Sequence, residues 1–352
     1  MALPPAAGAA TLSVGAARPQ GGGERMVAAR SAADPRSAGP LLVCPDCGAR
    51  LPNDLVAPPG TCPGCARAIR RTAGVWDLLR VTADVEAEYA RQIAESGFRG
   101  GVADFQVVVV AALESHRTEA RLLRALSLPE QNVRDDLTWH NYLGVRAHVV
   151  RPGTTLVELG CRSPSFFLRD AARHGVRCLG VDLYFHTDGA SDSGYAKVLA
   201  DMCHLPLADR TVDTVLVSSA LHHAQDLPRA VREVHRVLRP GGRFVVVSEP
   251  AVSVLRSAGV VPPRAGDKAR YTYAQYLDAL RQAGFGRPRI HFPHHLDRLL
   301  TSGSALHWRR PWLGACLTSL WRLSAGRAAI RAAGLWPGLT FLDLPLVAVA
   351  VR

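Results

Sequence analysis

Four of the eight cysteines stand close together. From Cys44 the chain reads CPDCGARLPNDLVAPPGTCPGC, two Cys-x-x-Cys pairs (Cys44 with Cys47, Cys62 with Cys65) separated by residues 48–61, 14 in all. Each pair can turn two sulfurs toward one point, and two pairs at this spacing let four thiolates converge on a tetrahedral ion. The predicted chemistry is zinc held by sulfur. With four thiolates no position remains open for water, so such a zinc is structural. A ribbon of about 40 residues buries too little apolar surface to fold alone, and metal binding would supply much of its folding free energy. The other cysteines, Cys161, Cys178, Cys203 and Cys316, are scattered among apolar residues. They read as reduced, buried thiols, and the opening residues lack a secretory pattern, so a cytoplasmic location is expected.

The remaining chemistry-bearing residues fall between Thr154 and Pro250. There, short β-rich runs alternate with amphipathic ones: TLVELG, SPSFFLRDAARHG, RCLGVDLYF, DTVLVSSAL, LPRAVREVHRVL and GRFVVVSEP. This alternation predicts a parallel sheet with helices on both faces. Ligands of such sheets bind beyond the carboxyl ends of the strands, where strand order reverses. Gly160, Asp182, Asp201 and Ser218 stand along that rim. His222 and His223 follow strand four at the same rim, where an imidazole can take a proton from a phenol or hydroxyl. Histidines that only pack at a strand end are the plainer alternative.

In their order these segments resemble the class I S-adenosylmethionine (SAM)-dependent methyltransferases, within the large subgroup of quinone and small-molecule methyltransferases. VELGC (Val157–Cys161) is similar to the first motif of that family, and GVDLY (Gly180–Tyr184) to the end of its second strand. The resemblance implies that Glu158 and Gly160 belong to the cofactor loop and that Asp182 binds both ribose hydroxyls. It also implies that Asp201, in ADMCHLPLAD, holds the adenine amino group with Met202 against the ring, and that Ser218 borders the site. RVLRPGGRFVVVSEP resembles the helix, glycine turn and fifth strand. The implied fold is α/β: a Rossmann-like sheet, parallel with a final antiparallel strand, preceded by a small zinc ribbon and a helical segment. The ribbon followed by GVWDLL (Gly74–Leu79) resembles the zinc-binding domain that accompanies several methyltransferases. One departure stands out: Arg162 and Pro164 replace the second and third glycines of the first motif. Arg162 is placed to pair with the cofactor carboxylate, and Ser163 with Pro164 reads as a helix N-cap and first helical position.

The 352 residues suffice for about two domains. The expected organisation is a disordered leader at 1–40, with Met26 as a candidate start, a zinc ribbon at 41–82 and a helical linker or cap at 83–150. In the cap, Trp139, His140 and Tyr142 are candidate cofactor contacts. The methyltransferase domain spans 151–352 and carries an Arg/Trp-rich insertion at 296–340. The longest apolar run, Val107–Leu113, is far short of the ~20 residues of a membrane helix, so no transmembrane segment is expected.

The formal charge of +12 comes almost wholly from arginine, since Lys197 and Lys268 are the only lysines. Between Arg298 and Leu342 there is no acidic residue, while six arginines stand among Trp308, Trp312, Trp321 and Trp336. Leu313, Leu317, Leu320, Trp321 and Ser324 recur at helical spacing and leave an Arg-bearing face. That face reads as a lid over an apolar acceptor, a membrane-surface contact, an RNA-facing patch or a solvated surface. The function favoured is methyl transfer from SAM to a small or lipid-like acceptor. An rRNA or tRNA base methyltransferase is an alternative, although Ser218-Ser219-Ala220-Leu221 stand where an Asn-Pro-Pro-aromatic motif would. A non-catalytic methyltransferase-like binding protein is another, because of the replaced glycines. The pattern assigns no oligomeric state.

Overall fold

The computed structural model describes residues 41–51, 60–72, 75–96, 137–161, 165–183, 194–252, 257–258, 271–301, 311–335 and 345–352. The leader at 1–40, Met26, Arg162, Ser163, Pro164, Trp308 and Trp336 lie outside the described residues. The strands are β1 (Arg70–Thr72), β2 (Val75–Asp77), β3 (Thr155–Leu159), β4 (Arg177–Asp182), β5 (Ala196–Leu199), β6 (Val212–Ser218), β7 (Leu238–Glu249), β8 (Arg289–Ile290) and β9 (Leu346–Val351). Among the described residues they form one sheet in the order β1-β2-β5-β4-β3-β6-β7-β9-β8. From β2 to β7 all pairings are parallel, and β1, β9 and β8 run antiparallel to their neighbours. The expected α/β sheet with an antiparallel final strand is therefore present. Every residue of β3 is buried, as it is in strands covered by helices on both faces. The chain runs outward from β3 through β4 to β5, then returns to β6 on the other side of β3, so the switch point lies between β3 and β6.

The helices are α1 (Ala83–Ser96), α2 (Leu137–Val149), α3 (Phe166–Arg173), α4 (Leu227–Val237), α5 (Tyr273–Gln282), α6 (His294–Thr301), α7 (Pro311–Arg322) and α8 (Ser324–Leu335). In α4 the apolar positions Leu227, Ala230, Val231, Val234 and Val237 fall on one buried stripe. Asp226 caps its start by accepting the Arg229 N–H at 2.9 Å. The cap of α3 is Ser165, whose Oγ accepts the Leu168 N–H at 3.1 Å. This moves the helix start two residues beyond the Ser163–Pro164 reading, because the second serine of SPS has a buried partner in Glu158.

Trp139 and Tyr142 pack against the first turns of α3. Trp139 stacks on Phe167 at 6.2 Å, and the Tyr142 hydroxyl donates to Asp170 at 2.8 Å. Arg146 grips the same carboxylate in a bidentate pair at 2.7 and 2.9 Å.

One arrangement was not foreseen from the sequence. β2 adds to the sheet edge beside β5, with Val75, Trp76 and Asp77 opposite Lys197, Val198 and Leu199. The Val43 N–H also donates to the Pro206 carbonyl at 3.0 Å, and the Ala208 N–H to that of Leu41 at 2.9 Å. Leu42, Leu51, Ile69 and Trp76 consequently pack in the same core as Val157, Val198 and Leu207. Another difference concerns Leu320, which the helical spacing put on the inward face of α7. Trp321 faces inward as that spacing implies, joined by Gly314 and Thr318, whereas Leu320 is exposed. Two small residues on that face let the helix approach closely, which fixes the side that turns in.

Candidate functional site

The carboxyl ends of β3, β4, β5 and β6 bring Gly160, Asp182, Asp201, Met202 and Ser218 to one edge of the sheet. Gly160 adopts φ +66°, and a Cβ there would lie 2.3 Å from that of Ala220. Only glycine fits where these two loops meet. Glu158, one residue inside β3, is buried and accepts a short hydrogen bond from the Ser165 hydroxyl. Burial pushes its carboxyl well above the usual range, and the nearby Asp182 charge adds to the rise. Glu158 thereby ties the first loop to the α3 cap. One Asp182 oxygen accepts the Leu183 N–H at 2.8 Å. The Asp201 carboxylate accepts from the Cys203 N–H and from His204 Nδ1, both at 3.0 Å, and Arg229 donates to the other nitrogen of that ring. Two carboxylates are thus held in fixed orientation at the strand ends.

His222 and His223 lie in a single 3-10 turn after β6, their rings 4.1 Å apart. His222 is buried, with Nδ1 2.6 Å from Oε1 of Glu249 at the end of β7. Glu249 also accepts the backbone N–H groups of Ala220, Leu221 and His222 at 3.0, 3.1 and 2.7 Å. The Glu249 carboxylate accepts, so Nδ1 of His222 is the donor of this bond and the ring is held with Nε2 turned away from it. That Nε2 is buried and has no hydrogen-bond partner among the described residues. A carboxylate-oriented imidazole with its second nitrogen available is an arrangement suited to removing a proton. The Tyr276 hydroxyl completes the surround of Glu249 at 3.4 Å, and burial raises its phenol above the ordinary value.

Helix α1 lies over this edge. It buries Val85, Glu88 and Tyr89, spaced as one helical face. The Tyr89 hydroxyl donates a short hydrogen bond to the Leu183 carbonyl, just past Asp182. Glu88 accepts from Gln225 at 2.9 Å and lies 3.5 Å from His223 Nδ1. One helix therefore spans both sides of the switch point. The sequence reading missed Glu88, Tyr89 and Glu249. Glu249 had a local signal, a lone acid closing the apolar run FVVVSE, whereas Glu88 has none apart from its place on the inward stripe of α1.

The donor sulfurs of Cys44, Cys47, Cys62 and Cys65 all lie within 4.8 Å of one another. Cys44 and Cys65 are 3.7 Å apart, and Cys47 and Cys62 3.5 Å. A tetrahedral zinc with sulfur at about 2.3 Å has edges of about 3.8 Å, so the residues fit that ion. The Gly64 N–H points at the Cys62 sulfur at 3.3 Å, as expected behind a thiolate. The two knuckles match: the Gly48 and Ala66 N–H groups each donate to the carbonyl four residues back, at 2.9 and 3.0 Å. The described side chains of IHFPHHLD (Ile290–Asp297) make other contacts. His294 starts α6, His291 faces His148 at 5.9 Å, and Asp297 pairs with Arg331 at 2.6 Å.

Residues 157–246 match the family described as a methyltransferase domain. The chain is 30% identical over 121 residues to a demethylmenaquinone methyltransferase of Symbiobacterium thermophilum, covering 30% of this chain and 47% of that protein. It is 30% identical over 149 residues to the 27-O-demethylrifamycin SV methyltransferase of Amycolatopsis mediterranei, covering 38% and 55%. Against the 2-phytyl-1,4-naphtoquinone methyltransferase of Nostoc punctiforme it is 28% identical over 184 residues, covering 43% and 80%. The chain spans about half the length of the first two of these relatives. A parallel sheet with its loop glycine, strand-end carboxylates and antiparallel last strand in this order has the Rossmann-like fold of the class I SAM-dependent methyltransferases, and its central strands match a methyltransferase domain.

Proposed function

We propose that the protein methylates a small or lipid-like acceptor, with a quinone-type ring as the favoured class, using SAM bound across the switch point. The observation that carries this reading is the rim itself: Gly160, Asp182 and Asp201 on successive strand ends, roofed by α1 and flanked by the His222–Glu249 pair. The relatives named above act on a demethylmenaquinone, a phytyl naphthoquinone and a demethylrifamycin by their descriptions, which supports a ring hydroxyl or its neighbouring carbon as the acceptor.

SAM supplies an activated methyl group on a sulfonium, so the protein has to align and dehydrate the partners rather than form a covalent intermediate. Gly160 admits the methionine half beside bare backbone, and Arg162 is the partner for its carboxylate. Glu158 holds that loop in place through Ser165. Asp182 accepts from the ribose hydroxyls, Asp201 and Met202 receive the adenine, and Ser218 borders the site. His222 takes the acceptor proton at Nε2 while Glu249 keeps Nδ1 protonated, and His223 lies beside it. The four cysteines at 44, 47, 62 and 65 hold one structural zinc. In this division the ribbon at 41–82 and the cap at 83–150 support a catalytic domain at 151–352.

Calorimetric titration of the purified chain with SAM and S-adenosylhomocysteine tests the reading. Binding of both is expected, and Asp182→Ala should weaken it about 100-fold through loss of paired hydrogen bonds to a charged acceptor. Binding of neither ligand would replace this function with a non-catalytic one, and unchanged affinity in the variant would remove Asp182 from the site.

A further inference from the structure

Helix α7 has two apolar faces, and only one is covered. On the inner face Trp321 stacks on Phe292 at 5.7 Å and packs with Leu300, while its Nε1–H donates to Thr301 at 3.2 Å. The guanidinium of Arg331, from α8, covers its ring at 5.2 Å. The outer face carries Trp312, Cys316 and Leu320 in steps of four, and Leu323 three further on at the turn into α8. These steps keep the four residues on one stripe, and Trp312 is 64%, Leu320 47% and Leu323 61% exposed. Leaving a Trp and two Leu in water forgoes a large burial term, which marks such a stripe as an interaction surface.

The charge of this segment selects the occupant of the stripe. From Arg298 to Leu342 the chain holds arginines but no Asp or Glu, and the exposed Arg322 closes α7 beside Leu323. A second copy docked on this face would bring the same cations against each other. A polyanion such as RNA would satisfy the arginines but leave the apolar stripe in water. A lipid surface with anionic headgroups matches both parts, with Trp at the interface and Arg beside it. The hairpin is also connected to the rim. Gly144 of α2 approaches His294 of α6 so closely that a Cβ there would lie 3.3 Å from the histidine's. Asn141, on the same helix, donates to Ser248 at the end of β7 at 2.8 Å.

We infer that the outer face of α7 seats the α7–α8 hairpin on an anionic membrane surface and so brings the rim to an acceptor dissolved in the bilayer. The inference rests on the lipid-like acceptor proposed above. Co-sedimentation of the full chain with vesicles of phosphatidylcholine, with and without phosphatidylglycerol, tests it. Binding is expected only with the anionic lipid and should fall steeply as salt is raised from about 0.02 M to about 0.5 M. Trp312→Ser combined with Leu320→Ser alters only exposed side chains and should weaken binding about tenfold or more at unchanged melting temperature. Three results would each overturn the inference: no vesicle binding, equal binding by the double variant, or a wild-type dimer that the variant dissociates. SAM affinity, measured on the same samples, separates the two proposals. No vesicle binding by the wild-type chain with SAM affinity intact refutes only the membrane face, and vesicle binding without SAM affinity refutes only the transferase reading.

Discussion

The ribbon and the α7–α8 hairpin, with α6 beside it, are both additions to one sheet, and they treat their hydrophobic residues in opposite ways. The ribbon sends Leu42, Leu51, Ile69 and Trp76 into the core that also holds Val157 and Val198, and it donates a strand to the sheet edge. The hairpin keeps a small core of its own, Leu300 and Trp321 with Phe292, Leu317 and Ile330 around them, and turns Trp312, Leu320 and Leu323 outward. An addition that shares its core with the sheet contributes to the stability of the whole domain. One that closes a separate core can move or loosen without disturbing the strands, and its exposed apolar residues are left for a partner.

Metal removal provides the largest test of this contrast. Four thiolates bound to zinc contribute on the order of 10 kcal/mol in small ribbons. Because the ribbon shares its core with β3, β4 and β5, a chelator or Cys44→Ser with Cys62→Ser should lower the melting of the entire sheet in one transition, followed by circular dichroism. A sheet that melts unchanged while the ribbon alone unfolds would show the two to be separate units.

Trp321→Ala addresses the opposite end of the comparison. Removing a large buried aromatic costs about 3–5 kcal/mol where the site cannot collapse. That loss should appear in hydrogen exchange as faster opening of α7 and α8, with the amides of β3 to β7 unchanged and SAM affinity retained. Faster exchange across the central strands would mean that the hairpin's core is continuous with the main one.

The legible parts of this molecule are those whose signal is local. Two Cys-x-x-Cys pairs predict four sulfurs gathered at one point, and apolar runs ending in Gly160 or Asp182 predict adjacent strands, since side-chain type and period suffice. The hidden parts depend on distant partners. Glu88 is within reach of Gln225 only after α1 folds across the rim, and no pattern in EAEYARQ predicts it. Val75 finds Lys197 across the sheet edge although GVWD alone suits a strand anywhere. The face of α7 that turns inward was also ambiguous: Leu317 and Leu320 satisfy the same helical spacing, and the small Gly314 and Thr318 decided between them.

The smallest effect lies within the ribbon, between its two knuckles. Gly48 and Ala66 occupy equivalent places, four residues after Cys44 and Cys62, at φ +73° and +59°. A left-handed conformation costs an alanine about 1–2 kcal/mol, and glycine returns part of that advantage through the greater freedom of its unfolded chain. Ala66→Gly should therefore stabilise the metal-loaded protein by about 0.5–1 kcal/mol, and Gly48→Ala should weaken it by a similar amount. Because the ribbon and sheet share a core, both shifts should appear in the melting of the whole domain and in the chelator concentration needed to strip the metal. If the stripping midpoint moves while the sheet's melting stays fixed, the knuckles govern the metal alone, and the ribbon is as detachable as the hairpin.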